Sequence, residues 1–129
     1  MNARQQVEQM CVCLCRQEAL YGEWAKAHGM SYNTVMTLYA LAQARGCTQK
    51  QIAEEWLIPK QTVNTIVKEL ERQGYVRFEA GRAYAESHLR DLYRIEERAM
   101  ESLSQELRQA MVEGTQAFTD AFAREVHRG

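Results

Sequence analysis

The sequence predicts a mainly α-helical fold of six helices with one short β-strand. Apolar residues recur at steps of three, four and seven through most of the chain, which is the spacing of one helix face. The 129 residues include only one proline and seven glycines, so few positions force a helix to stop. We therefore expect long helices at both ends and shorter ones between them.

The first helix is predicted at residues 5–28, where the apolar residues form a single stripe. Gly29 follows it as a left-handed C-terminal stop, because glycine adopts that conformation without steric cost. Ser31 is a suitable N-cap for a second helix, which should end before Gly46.

A third, short helix begins at Thr48, which forms a capping box with Gln51. Pro59 then requires a break or a fresh helix start. The inner face of this short helix is predicted to comprise Ile52, Ala53, Trp56 and Leu57.

The fourth helix is predicted at residues 60–73, with Gly74 as its stop and Leu70 and Tyr75 at the spacing of a Schellman contact. Residues 75–79 alternate and favour a strand. The side chains expected to point inward from the fourth helix are Val63, Ile66, Val67 and Leu70.

Two further helices follow from Gly81, and Ser104 is expected to cap the second of them. The stripes of helices one, five and six are longer than one small lobe can cover, so we expect a second copy of the chain to cover them in a homodimer. Residues 1–30 and 80–129 would form the dimerisation region and residues 31–79 a separate lobe within one compact domain.

Residues 48–74 contain a short capped helix, a tight turn, a second amphipathic helix and a glycine stop, which is the helix-turn-helix plan. The second helix would place amide and hydroxyl groups against base edges in double-stranded DNA, while basic groups and a helix N-terminus contact phosphates. The candidate base-reading residues are Gln61, Thr62, Asn64 and Thr65. The candidate phosphate contacts are Thr48, Lys50, Lys60, Lys68 and Arg77.

Two segments, 47–53 and 59–76, read CTQKQIA and PKQTVNTIVKELERQGYV, and they resemble the MarR (multiple antibiotic resistance regulator) family. The order of elements is similar over the whole chain. The resemblance implies a winged helix-turn-helix in each subunit of a dimer with interlocking terminal helices. It also implies repression or activation of transcription, relieved by a small, often phenolic, ligand or by thiol oxidation.

The sequence departs from the family pattern at two places. Pro59 stands where the family usually has a serine or threonine cap. The wing, a hairpin with a return strand, is missing between Glu79 and Ala80, and a single strand cannot form a hairpin. We interpret this as a wing that the sequence omits, and a backbone continuous through these two residues would indicate that the chain has none.

Three cysteines lie close together at Cys11, Cys13 and Cys15. On a helix Cys11 and Cys15 share a face and Cys13 points elsewhere, so the three do not suit one zinc ion. We interpret them first as small packing residues, with a redox role for Cys11 and Cys15 as the alternative. The scattered histidines, His28, His88 and His127, favour helix ends or surface positions over a metal site.

A candidate cleft for a small aromatic ligand, also implied by the resemblance, comprises Trp24, Tyr32, Met36, Tyr84 and His88. An aromatic stripe is also typical of a core. We find no phosphate-binding loop, nucleophile elbow or paired-carboxylate motif, so no enzymatic activity and no cofactor are expected.

Charge is nearly balanced, with 16 basic and 17 acidic residues, and residues 31–79 carry six and five. This supports DNA contact only weakly and leaves open a winged-helix module that binds proteins and not DNA, or a thiol or metal sensor of the same fold. No apolar stretch is long enough to span a membrane, and the N-terminal residues lack the pattern of a secretory signal, so we expect a cytoplasmic protein.

Overall fold

The computed structural model of the chain describes residues 1–43, 49–74 and 78–129. Within these ranges the chain forms six helices and no strand, which confirms the mainly α prediction. The helices are α1 (Ala3–Ala27), α2 (Tyr32–Gln43), α3 (Gln49–Trp56), α4 (Lys60–Arg72), α5 (Phe78–Glu101) and α6 (Gln105–Arg128).

The chain divides into two units, Met1–Arg90 and Asp91–Gly129. In the first unit α1 packs against α2, and α2, α3 and α4 pack against one another. This three-helix cluster encloses an apolar core whose members are less than a tenth exposed. They include Val35, Leu38, Leu41, Ile52, Ile58, Val63 and Leu70.

Helix α1 begins at Ala3, two residues earlier than predicted, because Asn2 and Gln5 form a capping box. The Asn2 side-chain oxygen accepts a hydrogen bond from the Gln5 backbone at 2.9 Å, and the Gln5 side chain accepts one from the Asn2 backbone at 3.0 Å. At the other end Gly29 adopts a φ of +73°. The N–H of Met30 donates to the Ala25 carbonyl at 2.8 Å, which is the long bond of a Schellman motif and confirms the predicted glycine stop.

Two predicted serine caps are confirmed. The Ser31 hydroxyl accepts a hydrogen bond from the Thr34 backbone at 3.1 Å at the start of α2. The Ser104 hydroxyl accepts one from the Leu107 backbone at 3.2 Å at the start of α6. The capping box predicted at Thr48 lies outside the described residues.

The turn between α3 and α4 corrects the prediction that Leu57 belongs to the inner face of α3. Helix α3 ends at Trp56, and Leu57 adopts a φ of +52° that turns its side chain outward to 89% exposure. The N–H of Ile58 donates to the Ala53 carbonyl at 3.1 Å, so this turn is a second Schellman motif. Ile58, 5% exposed, occupies the core in place of Leu57.

Helix α4 begins at Lys60 after Pro59, whose φ of −54° and ψ of 131° place it at the N-cap position without a side-chain hydrogen bond. Proline therefore provides the predicted fresh start and not a kink. Helix α4 ends at Arg72, and Gly74 adopts a φ of +93°, as its predicted role as a stop requires.

The predicted strand at residues 75–79 is wrong at its end, because Phe78 and Glu79 are the first residues of α5. Residues 75–77 lie outside the described ranges. A lone strand leaves its N–H and C=O groups without partners, whereas a helix pairs them within the segment. Glu79 and Ala80 are consecutive residues of α5, the arrangement expected of a chain with no wing at this position.

The second unit contains the C-terminal part of α5 and the whole of α6, and α6 has no buried residue. Six large apolar side chains of α6 are 37–59% exposed: Leu107, Met111, Val112, Phe118, Phe122 and Val126. The rings of Phe118 and Phe122 stack with centroids 5.6 Å apart. A continuous apolar face of this kind is typical of an association surface.

Leu57→Gly is expected to raise the free energy of unfolding by up to about 1 kcal/mol, because glycine adopts a positive φ without the steric cost that leucine has. Urea denaturation at one protein concentration measures the change. Leu57→Val is the matched control and should lower stability, because a branched Cβ is less compatible with this conformation. A lower midpoint for Leu57→Gly than for the wild-type chain would contradict the assignment of strain to this residue.

Candidate nucleic-acid interface

The apolar side of α4 fixes the orientation of the helix. Val63 is fully buried and Leu70 is 5% exposed, while Ile66 and Val67 are half-buried. Because α2 and α3 pack against this side, α4 cannot rotate without exposing these residues. The inward positions predicted from the sequence are thus confirmed.

The opposite side of α4 forms what we call the outer stripe, which consists of Gln61, Thr65, Lys68 and Arg72. Successive residues of a helix turn by about 100°, so these four lie roughly opposite Val63. All four side chains are exposed. The stripe presents an amide, a hydroxyl and two cations along one line, a combination that can contact base edges and phosphates.

The Thr65 hydroxyl donates to the Gln61 backbone carbonyl at 2.9 Å. Because Thr65 is exposed, its hydroxyl oxygen can still accept a hydrogen bond from a base and its methyl group can contact a thymine methyl. Thr62 and Asn64 are half-buried and flank the outer stripe, one on each side. The structure thus brings the four predicted base-reading residues onto one side of α4 with Gln61 and Thr65 at its centre.

The predicted phosphate-contact residues lie on different helices and differ in their ion pairing. Lys60 is exposed in the first turn of α4. Lys50, in the first turn of α3, lies 3.9 Å from the Glu54 carboxylate in an exposed ion pair. Lys68 makes no ion pair with another described residue. Thr48 and Arg77 lie outside the described residues.

Arg72 belongs to the outer stripe but was not among the sequence candidates. Its Nε donates to the Glu69 carboxylate at 3.0 Å, and a second guanidinium N–H donates to the other carboxylate oxygen. These bonds, with a further one from Gln73, lower the pKa of Glu69 to about 2. Arg72 therefore neutralises Glu69 locally and reduces its repulsion of a phosphate. Continuing the spacing 61, 65, 68 by four residues would have identified it.

An open aromatic cleft of about 410 Å³ lies in the first unit. It is lined by Leu14, Gln17, Glu18 and Tyr21 of α1, Tyr32, Met36 and Tyr39 of α2, and Trp56 of α3. Burial, and secondarily the Glu18 carboxylate, raises the pKa of Tyr32 above its ordinary value. Only Tyr32 and Met36 were among the predicted cleft residues.

The other predicted cleft residues lie outside this cleft. The Trp24 ring stacks on His28 with centroids 4.0 Å apart, and His28 Nδ1 lies 2.9 Å from the Trp24 carbonyl oxygen. Tyr84 and His88 form a similar pair on α5, with ring centroids 4.1 Å apart. Both histidines are exposed, and so is His127 in the last turn of α6, which agrees with the predicted helix-end or surface positions.

Cys11, Cys13 and Cys15 are all exposed free thiols on α1. Nothing in the described part of the chain buries these thiols, and Ala25 is the buried residue of α1, so packing of the cysteines would require a second molecule and stays a prediction. Cys47 lies outside the described residues. Across the described ranges no group of three or more His, Cys, Asp or Glu side chains is placed to hold a metal ion.

None of the helices in the described part of the chain has the length and apolar character needed to cross a membrane.

Comparison with known proteins supports the helix-turn-helix assignment. Residues 28–83 match the model of the MarR family. The fold is similar to that of a MarR-family regulator from Neisseria meningitidis, with a TM-score of 0.68 and 22% sequence identity over 99% of both chains. No curated protein matches the sequence. MarR-family regulators are non-enzymatic transcription factors, in agreement with the expectation that this chain is not an enzyme. The family model covers 56 of the 129 residues, including α2, α3 and α4, and with the similar fold it supports a DNA-binding transcription regulator whose helix-turn-helix is α3 and α4.

Proposed function

We propose that the chain is a cytoplasmic repressor that binds a pseudo-palindromic operator as a homodimer and is released by a small ligand. The observation that carries this proposal is the outer stripe of α4, Gln61, Thr65, Lys68 and Arg72, exposed opposite a buried apolar side. In a helix-turn-helix the second helix lies in the major groove, so these groups would face the base pairs and the adjoining phosphates.

The homodimer is supported by the exposed apolar faces of the long helices. On α6 the steps from Leu107 to Met111, Phe118 and Phe122 are four, seven and four, so these side chains share one face. The six exposed apolar residues of α6 would be costly to leave in water, and a second copy of the same face can cover them. Two copies of α4 related by a two-fold axis would read half-sites about 34 Å apart.

Release by a ligand is supported by the aromatic cleft, whose volume suits a small organic molecule. Trp56, which lines the cleft, is the last residue of α3. A ligand that moves Trp56 would act on the turn that leads into α4. A residue of the cleft is therefore joined through a short backbone turn to the helix that is proposed to bind DNA.

A thiol sensor is a second candidate because Cys11 and Cys15 are exposed and therefore accessible to oxidants. A protein-binding module without DNA binding is the other alternative, favoured by the balanced charge. Peroxide treatment of the DNA complex tests the thiol sensor. Loss of DNA binding in the wild type but not in a Cys11→Ser, Cys15→Ser variant would support it. A salt-dependent gel shift of random duplex DNA by the protein would exclude the protein-binding module.

Lys68→Ala is expected to weaken binding to every DNA sequence by a similar factor, because a phosphate contact carries no base information. The slope of log affinity against log salt should fall by about 0.9, the contribution of one phosphate contact. Fluorescence anisotropy on operator and random duplexes measures both effects. Arg4→Ala removes a cation from the first turn of α1 and serves as the control. An unchanged salt slope for Lys68→Ala would remove this residue from the interface.

Asn64→Ala is expected to weaken binding to the selected operator by about 1–3 kcal/mol and to leave binding to random DNA nearly unchanged, because an amide–base pair discriminates between sequences. The operator is first obtained by selection from random duplexes, and the variant is then measured on it. Gln116→Ala removes an exposed amide from α6 as the control. Equal losses on operator and random DNA would assign Asn64 to the phosphates instead.

Phe122→Glu is expected to shift the chain from dimer to monomer at micromolar concentration, because it places a charge within the apolar face of α6. Sedimentation equilibrium gives the mass, which for one chain is 14.9 kDa. Gln116→Glu adds the same charge to the other side of α6 and should leave the dimer intact. A monomeric wild-type chain, or a dimer that survives Phe122→Glu, would argue against this face as the interface.

A further inference from the structure

The residues that line the aromatic cleft between α1, α2 and α3 indicate which chemical class of small molecule it binds. Four of the eight described residues that line it are aromatic: Tyr21, Tyr32, Tyr39 and Trp56. The rings of Tyr39 and Trp56 are 5.7 Å apart and inclined at 45°, so their faces form two sides of a corner. Aromatic faces carry partial negative charge and attract cations that lie within about 6 Å.

The charged side chain at the cleft is also negative, like the aromatic faces. Glu18 is the charged residue among the eight described residues that line it, and these eight include no lysine, arginine or histidine. Glu18 takes no part in the ion pairs between described residues. Its charge reaches Tyr32 across the cleft, where it contributes to the raised pKa of that phenol. An anion in this space would meet a carboxylate and the faces of aromatic rings, and no cation among the described lining residues would stabilise it.

We propose that this cleft binds an aromatic organic cation, with its positive group beside Glu18 and its apolar part against Tyr39, Trp56 and Met36. This inference rests on the proposed function, in that it names the chemical class of the releasing ligand. It differs from the phenolic ligand that the family resemblance suggests for the chain. The volume of about 410 Å³ accommodates a compact ring system with a quaternary or protonated amine.

The position of Trp56 connects occupancy of the cleft to the helix-turn-helix. Leu57 to Pro59 are the only residues between the end of α3 and the start of α4. Leu57 already has a positive φ, and the Ile58 N–H is bonded back to Ala53. A ligand that stacks on Trp56 would therefore press on a turn with little conformational freedom, and the direction of α4 would have to respond.

The test uses the full chain without DNA, because organic cations also bind DNA. Benzyltrimethylammonium is the cationic probe and benzoate the anionic one, and calorimetry and tryptophan fluorescence measure binding. We expect the cation to bind with one site per chain and benzoate to bind at least tenfold more weakly. Glu18→Gln should weaken cation binding about tenfold, equivalent to about 1.4 kcal/mol. Trp56→Leu should weaken it about fivefold through loss of the stacking between the ligand's aromatic ring and the indole.

Glu23→Gln is the matched control, since it makes the same substitution at an exposed position of α1 outside the cleft and should leave affinity unchanged. Circular dichroism verifies that each variant is folded. Absence of cation binding at millimolar concentration, equal binding of benzoate, or full affinity in Glu18→Gln would overturn the proposal. Because the assay contains no DNA, its failure would refute only the cleft assignment, and the DNA-binding measurements on Lys68→Ala and Asn64→Ala remain the separate test of the proposed function.

Discussion

Burial of Val63 and Leu70 is the constraint on which the rest of the helix-turn-helix depends. These two side chains hold one side of α4 against α2 and α3, and they leave no choice about which residues face outward. The outer stripe follows from that orientation and from the 3.6-residue period alone. The amide, hydroxyl and basic groups of α4 are thus arranged for recognition by a packing interaction in which none of them takes part.

The Schellman turn at Leu57 determines where helix α4 begins. Left-handed geometry at Leu57 buries Ile58 and places Pro59 at the start of α4. Pro59 occupies the N-cap without a side-chain hydrogen bond, so α4 starts without a serine or threonine cap and its position depends on the turn and on the buried side of the helix. The aromatic cleft ends at Trp56, one residue before this turn. The same few residues, Trp56 to Pro59, therefore bear on the stability of the turn, on the direction of α4 and on the proposed response to a ligand.

Helix positions and most helix ends could be predicted from the sequence, because periodicity, glycine stops and serine caps are local signals. Gly29, Ser31, Gly74 and Ser104 each act as expected. The errors occur where a local pattern competes with a tertiary requirement. Leu57 fits the apolar period of α3, but the chain has to turn there and the next residue fills the core. Phe78 and Glu79 alternate like a strand, but no partner strand is available in the described residues.

The candidate site could be predicted on α4 because an amphipathic helix determines its own outer face. Arg72 was missed since a basic residue near a helix end is also typical of simple capping. The cleft was predicted only at Tyr32 and Met36, because its other walls come from α1 and α3 and depend on how three helices pack. Sequence spacing within one helix contains no information about that packing.

The lack of burial along the terminal helices has a consequence for the life of the protein in the cell. Within the described residues, helix α1 buries Ala25 and α6 buries nothing, so the exposed apolar side chains of these two helices depend for cover on something other than the rest of their own chain. If that cover is a second copy, a newly made subunit remains a substrate for proteases until it meets a partner. Gene dosage would then set turnover as well as the amount of assembled protein, and scarce subunits would be degraded before they could assemble.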